Sequence, residues 1–249
     1  MYFQRFPFVN YNFGDNEANT IFPNITAYID IVDQIKDEVS FYEKYTILDG
    51  DRPDIVSQML YDTPDYHWTF FFMNDGLRES GWPLSEREMR ALVKKRYPHR
   101  TVTTQSNIAS NFLPGDFVIG KTSGTTGRVV ERNLDLGQIV IASDKNDAGL
   151  NNNFGQTEQI AAGTTAEEQA ANTATLISES QQFNAPLYYK NSSGDIVDID
   201  PYNQTTSGLV PTTIMEDNIN FNDRLKEIIV IKPSRIISVV SEYFKLLKA

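Results

Sequence analysis

Apolar residues in the first hundred positions recur mostly at helical steps. Residues 28–44 mix apolar and charged side chains without a single clear period, and Ile31, Ile35 and Val39, four apart, are compatible with one helical face. A short strand is expected at Tyr45–Leu48, closed by the turn Asp49-Gly50. Asp51 can then cap a helix whose first turn accepts Pro53, because the N–H that proline lacks would be unpaired there. Ile55, Val56, Met59 and Leu60 are predicted to line its inner face. Thr63-Pro64 breaks that helix, and Trp68, Phe71 and Phe72 line the next, which ends at Asn74. Ser85 and Glu88 form a capping-box pattern, opening a helix to about Tyr97 with Met89, Leu92 and Val93 inside.

From Asn111 the period shortens. "FLPGDFVIG" and "GRVVERNLDLGQIVIAS" are β-rich and punctuated by Gly and Ser, giving about three strands of a small antiparallel β-barrel. Residues 144–182 hold few large apolar side chains and many Asn, Ala, Thr and Gln. They read as a low-complexity insertion, with a short helix capped by Thr164 and Glu167 and striped by Ala170, Ala174 and Ile177. "PLYYKNSSGDIVDID" predicts a hairpin around Ser193-Gly194. The end predicts a strand in "LKEIIVI", Pro233, a Ser234 cap, and a helix presenting Ile236, Val240, Tyr243, Phe244 and Leu247 on one side.

One stretch matches two nucleotide-binding patterns. Gly115-x-x-x-x-Gly120-Lys121-Thr122 satisfies the phosphate-loop expression, and Thr122-Ser-Gly-Thr-Thr-Gly127 looks like the loop of adenylate-forming enzymes. A phosphate loop needs a strand before it and a helix immediately after, so that backbone N–H groups converge on the anion. Here Asp-Phe-Val-Ile fills the loop, and Arg128-Val129-Val130 follows where the adenylate-forming motif has Pro-Lys-Gly. The expectation is therefore a β-hairpin, with Pro114-Gly115 entering its first strand and the glycines 124–127 making the reversal.

Charge and composition narrow the function further. With 33 acidic and 22 basic residues the net charge is −11, and no basic run offsets the repulsion from phosphate, which argues against nucleic-acid binding. Lys94, Lys95, Arg96 and Arg100 are most simply a solvated helix end. The chain contains no cysteine, which removes disulfides, thiolate metal sites and a cysteine nucleophile. Its start lacks a basic segment leading into an apolar one, and no stretch nears the ~20 apolar residues of a membrane span. The expectation is a soluble protein without a secretory signal. His67 and His99 stand apart from each other and from any Asp-Ser pairing, so neither a triad nor a zinc site is expected. Asp49, Asp51, Asp54, Asp62 and Asp65 lack the spacing of a calcium loop, and caps and turns account for them. No catalytic, cofactor-binding or metal-binding set emerges. Six aromatics crowd the first 13 residues (Tyr2, Phe3, Phe6, Phe8, Tyr11 and Phe13), as an edge segment of a core or an arm that docks on partners.

The segment Tyr45–Asn74 resembles the LysM module. The matching positions are Tyr45-Thr-Ile47, Gly50-Asp51, Pro53, Ile55, Tyr61, Trp68 and Asn74. The module's Thr-Leu after Gly-Asp is Arg52-Pro53 here, and its Gly after Tyr61 is Asp62. LysM modules bind N-acetylglucosamine polymers, so the resemblance implies a cell-wall glycan-binding module, alone or in a peptidoglycan hydrolase. A longer set of motifs is similar to the LysM-like baseplate wedge subunits of T4-type contractile-tailed bacteriophages. That set is "YFQRFPFVNY", "DGDRP", Leu60-Tyr61, Tyr66-x-Trp68, Asn74, Gly81-Trp82-Pro83-Leu84-Ser85 and "LKEIIVIKPSRI". It covers about residues 1–100 and 220–249.

This second resemblance implies a non-enzymatic structural subunit of the virion tail baseplate, assembled in the host cytoplasm. It would be present in several copies in a ring, join neighbouring wedges, and contact other wedge proteins rather than nucleic acid or membrane. The expected fold class is α+β. An aromatic arm and helix (1–44) precede a LysM-like βαα(β) domain (45–100). The first part of a small β domain (101–143), the insertion (144–182), and a hairpin, strand and C-terminal helix (183–249) follow.

Overall fold

In the computed structural model, which describes residues 8–12, 20–24, 39–143, 153–202 and 206–246, helices and antiparallel strands are mixed. The described residues form two units divided at 87/88 and 220/221, so the first unit joins an early segment to the last stretch of chain. The expected boundaries at 100/101 and 182/183 are not where the chain divides, and the residues grouped as 183–249 belong to both units.

The first unit contains a hairpin of β1 (Phe8–Tyr11) and β2 (Thr20–Pro23). It also contains a two-stranded sheet of β3 (Tyr42–Thr46) and β13 (Glu227–Ile231), antiparallel, with Tyr45 opposite Ile228. The strand predicted at Tyr45–Leu48 therefore starts three residues earlier. Two strands alone are marginal in water. This pair is covered by α1 (Pro53–Tyr61), α2 (Trp68–Met73), α3 (Asp75–Ser80) and α7 (Ile236–Leu246), whose apolar residues share one buried cluster with Ile228, Val230 and Ile231.

Local chemistry sets each boundary. Asp51 does not cap α1; its N–H closes a turn on Leu48, with Gly50 at φ +84 supplying the left-handed step. Pro53 occupies the first turn and forces the residue before it into extended backbone, so Arg52, at φ −99 and ψ 148, is the N-cap without a side-chain bond. α1 ends at Asp62, whose left-handed φ of 58 delivers its N–H to the Gln58 carbonyl. Its buried face is Val56, Ser57 and Tyr61, with Leu60 half-buried, while Ile55 (48 %) and Met59 (56 %) are exposed. The stripe is rotated by one residue from expectation because Ser57 Oγ finds the Thr63 carbonyl and Tyr61 reaches β13, so both polar tips are satisfied inside. α2 is buried nearly all round, through Thr69, Phe70, Phe72 and Met73. On α7 Ile236, Val240, Tyr243 and Phe244 are buried as expected, joined by Val239. Leu247 lies outside the described residues, as do Ile31 and Ile35; Val39, on the same expected helical face, is exposed in a turn.

α4 (Glu86–Arg96) and α6 (Ile214–Arg224) carry the chain across the two divisions. Met89 and Val93 are buried on α4, but Leu92 is exposed. The second unit is built on a closed six-stranded antiparallel barrel. Its strands are β4 (Arg100–Thr104), β5 (Phe117–Gly120), β6 (Thr126–Asn133), β7 (Gln138–Ser143), β8 (Gln159–Ala162) and β9 (Thr173–Gln181), in the order β4-β7-β6-β5-β8-β9. Val102, Val118, Val129, Ile139, Ile141, Ile160, Ala162, Ala174 and Leu176 fill it in alternation, joined by Ile108, Phe112 and Phe154 from loops.

The supposed insertion thus supplies two of six barrel strands over its described part. It lacks large apolar residues because a narrow barrel has room for Ala162 and Ala174 at inward positions. The capping box sits one residue later than expected, Thr165 with Glu168, and opens α5 (Ala166–Ala171). Ala174 and Ile177 lie on β9 rather than on that helix. β10 (Pro186–Lys190), β11 (Ile196–Val197) and β12 (Val210–Thr213) complete the unit as a small sheet, with the expected turn at Gly194, φ +90.

Candidate functional site

The glycine-rich stretch forms the β5–β6 hairpin, Phe117 opposite Arg128 and Ile119 opposite Thr126, and strand β6 follows where a phosphate loop would start a helix. Lys121 is exposed at the tip. The backbone N–H groups of the turn do converge on an anion, but it is the protein's own. The Glu158 carboxylate, 6 % exposed, accepts from Thr122 N–H (3.1 Å), Ser123 N–H (2.9 Å), Ser123 Oγ–H (2.9 Å) and Gly155 N–H. A Cβ at Gly120 would meet Ser123 Oγ and fall 2.8 Å from Glu158 Oε2, so a larger residue there would push both side chains aside. Glu158 lies 36 residues from Thr122, and no local pattern announces the pairing.

The residues that carry the LysM resemblance lie within the first unit, and the polar atoms of Tyr61, Asn74 and Trp82 turn inward. Tyr61 Oη–H donates to the Ile231 carbonyl at 2.8 Å, and burial, the largest cause, raises its pKa far above the ordinary 10.0. Asn74 donates to the carbonyls of Phe70 and Ile229, both at 2.8 Å, and accepts from Ile229 N–H at 2.9 Å. Trp82 Nε1–H donates to the Asp51 carbonyl at 2.7 Å, and its ring packs on Phe70 and Phe71. Trp68 packs against Tyr243 and Phe244 at centroid distances of 5.3 and 5.8 Å. Tyr45 is half-buried; burial, and then the nearby Asp51 carboxylate, raise its pKa. Gly50 and Pro53 shape the turn and the start of α1.

Of the six arm aromatics, Phe8 and Tyr11 are on β1, exposed by 69 % and 55 %; Tyr2, Phe3, Phe6 and Phe13 lie outside the described residues. The register places Val9 with Phe22, Asn10 with Ile21, and Tyr11 with Thr20. Because side chains alternate, Phe8 and Ile21 share one face, while Val9, Tyr11 and Phe22 share the other. All five are exposed, and neither strand carries a charge. Val9 is aliphatic and Ile21 and Phe22 lie beyond residue 13, so these three fall outside the aromatic cluster of the first 13 positions.

His67 Nδ1 lies 2.8 Å from the Pro64 carbonyl. Among the described residues no three His, Asp or Glu side chains are placed to hold a metal ion, and no helix is long and apolar enough to cross a membrane. A cleft of about 590 Å³ in the first unit is lined by Lys44, Asp75, Arg224 and Glu227 among others, and Asp75 is engaged by Arg78 at 2.9 Å. Neither a known protein family nor a curated protein matches this chain.

Proposed function

We propose that this chain is a structural subunit of a bacteriophage tail baseplate, joining neighbouring wedges and docking on other baseplate proteins. The observation that carries the reading is the uncharged β1–β2 hairpin, exposing Phe8, Val9, Tyr11, Ile21 and Phe22 on two faces. A pair of four-residue strands is marginal by itself, and burial of such side chains against partner chains would add to its stability. Tyr61, Asn74 and Trp82 spend their polar atoms, and Trp68 its ring, inside the first unit, which favours a scaffold over a surface for N-acetylglucosamine polymers.

Copurification with tail particles tests the reading. The chain is expected in intact particles, and the isolated protein is expected to show no saturable calorimetric binding of chitin oligomers. Replacing Phe8 and Tyr11 with Ser should preserve the melt of the isolated chain and prevent its incorporation. Incorporation at the wild-type level, or saturable glycan binding, would count against the proposal.

A further inference from the structure

The two edges of the β3–β13 sheet are treated differently. β13 turns its outer edge towards the helices, where Asn74 pairs with both the N–H and the carbonyl of Ile229, and Tyr61 with the carbonyl of Ile231. Side chains there stand in for a third strand. On β3, the ladder bonds Ile47 N–H to Lys226 and Lys232 N–H to Phe41 fix the phase of the pairing. Tyr42, Lys44 and Thr46 therefore sit at the wide pairs and point their N–H and carbonyl groups away from β13. Among the described residues none of these outward backbone groups has a hydrogen-bond partner, and Glu43, Lys44 and Thr46 are exposed. An open edge of this kind is a template for another strand.

We infer that the outer edge of β3 takes up an extended segment of another polypeptide as a third strand, with an acidic residue opposite Lys44. A second copy of this chain fits poorly. The twofold register that uses all three outward residues sets Lys44 directly against its own copy, and like charges facing each other across strands destabilise the pair. Two chains of net charge −11 also repel. A segment of a different polypeptide with Glu or Asp at that position replaces the like-charge pair at Lys44 with an opposite-charge one and does not bring a second −11 chain. The inference stands independently of the baseplate reading.

The test uses the full chain and two synthetic peptides, Thr-Val-Thr-Glu-Thr-Val-Thr and the same sequence with central Lys, with amide hydrogen exchange followed by NMR. The central-Glu peptide should slow exchange at Tyr42, Lys44 and Thr46, leaving Glu43 and Tyr45, already bonded to β13, unchanged. It should bind roughly two- to fivefold tighter than the central-Lys peptide. Lys44→Pro removes one outward donor while sparing the ladder to β13, and should abolish the protection. Lys44→Glu keeps the backbone donor and should reverse the peptide preference, so the test survives if the proline variant does not fold. Absence of selective protection at the three amides with millimolar peptide, or an unchanged preference in Lys44→Glu, would overturn the inference.

Discussion

Replacement of Glu158 removes the one carboxylate on which the β5–β6 turn closes. The carboxylate satisfies three backbone N–H groups and one hydroxyl in a site 6 % exposed. Hydrogen bonds to an ionised acceptor are worth about 1.5–3 kcal/mol each, and a buried donor left unpaired costs about 1–3 kcal/mol. In Glu158→Gln the amide must turn its NH2 towards either Thr122 and Ser123 or Gly155 and the Ser123 hydroxyl. The hydroxyl can rotate to accept, but Gly155 N–H cannot, so at least one backbone donor is orphaned and charge assistance is lost throughout. The expected destabilisation is about 2–4 kcal/mol for Gln and about 3–5 kcal/mol for Ala.

Urea denaturation followed by far-UV circular dichroism measures this. Amide exchange at Thr122, Ser123 and Gly155 gives the local readout; both tryptophans, Trp68 and Trp82, lie in the other unit and would not report on the barrel. A loss below about 1 kcal/mol for Glu158→Gln, with exchange unchanged at the three amides, would refute the internal-anion account. The same account makes Lys121 dispensable: Lys121→Ala should change stability by less than about 0.5 kcal/mol. Millimolar Mg-ATP should leave the melting temperature unmoved. A nucleotide-dependent stabilisation that vanishes in Lys121→Ala would restore the phosphate-loop reading.

Two further perturbations follow from buried polar groups. Burial holds the Tyr61 phenol neutral in the folded chain well above the ordinary 10.0, so the unfolded chain loses its proton first as pH rises. Its stabilising contribution is complete below that value and falls above it by up to about 1.4 kcal/mol per pH unit; denaturation midpoints across about pH 8–11 should decline less steeply in Tyr61→Phe. The Arg100–Glu179 ion pair joins β4 to β9, with side chains 15 % and 9 % exposed. Glu179→Gln, which strands the guanidinium, should cost about 2–3 kcal/mol. The double replacement Arg100→Met with Glu179→Leu should cost less, a non-additivity that a double-mutant cycle measures directly.

Legibility in the sequence followed the range over which each residue's partner acts. The α1 break at Thr63-Pro64, the turn at Gly194 and the inner face of α7 depend on neighbours within one or two turns, and each was readable. Asp51 misled because a pre-proline constraint at Arg52 outranked the better capping side chain one position earlier. Ile55 and Met59 are apolar and yet exposed. The face was decided instead by Ser57 and Tyr61, whose polar tips had partners reachable only in the folded unit. β8 and β9 were missed for the opposite reason. Barrel closure asks for small inward residues, and Ala162 and Ala174 carry little hydrophobic signal along the chain.

The glycine-rich turn joins both lessons. Its residue types did encode a concave set of N–H donors with glycine at the point of closest approach, and anion-binding chemistry is what that pattern specifies. A motif constrains the geometry of the donors and leaves the source of the acceptor open. Here the acceptor comes from the same chain, 36 residues further on, and it links the β5–β6 turn to the segment that leads into β8. Through Glu158 the N–H groups of Thr122, Ser123 and Gly155 therefore tie the β5–β6 turn to the connection that leads into β8, a contact in which Lys121 takes no part through its side chain.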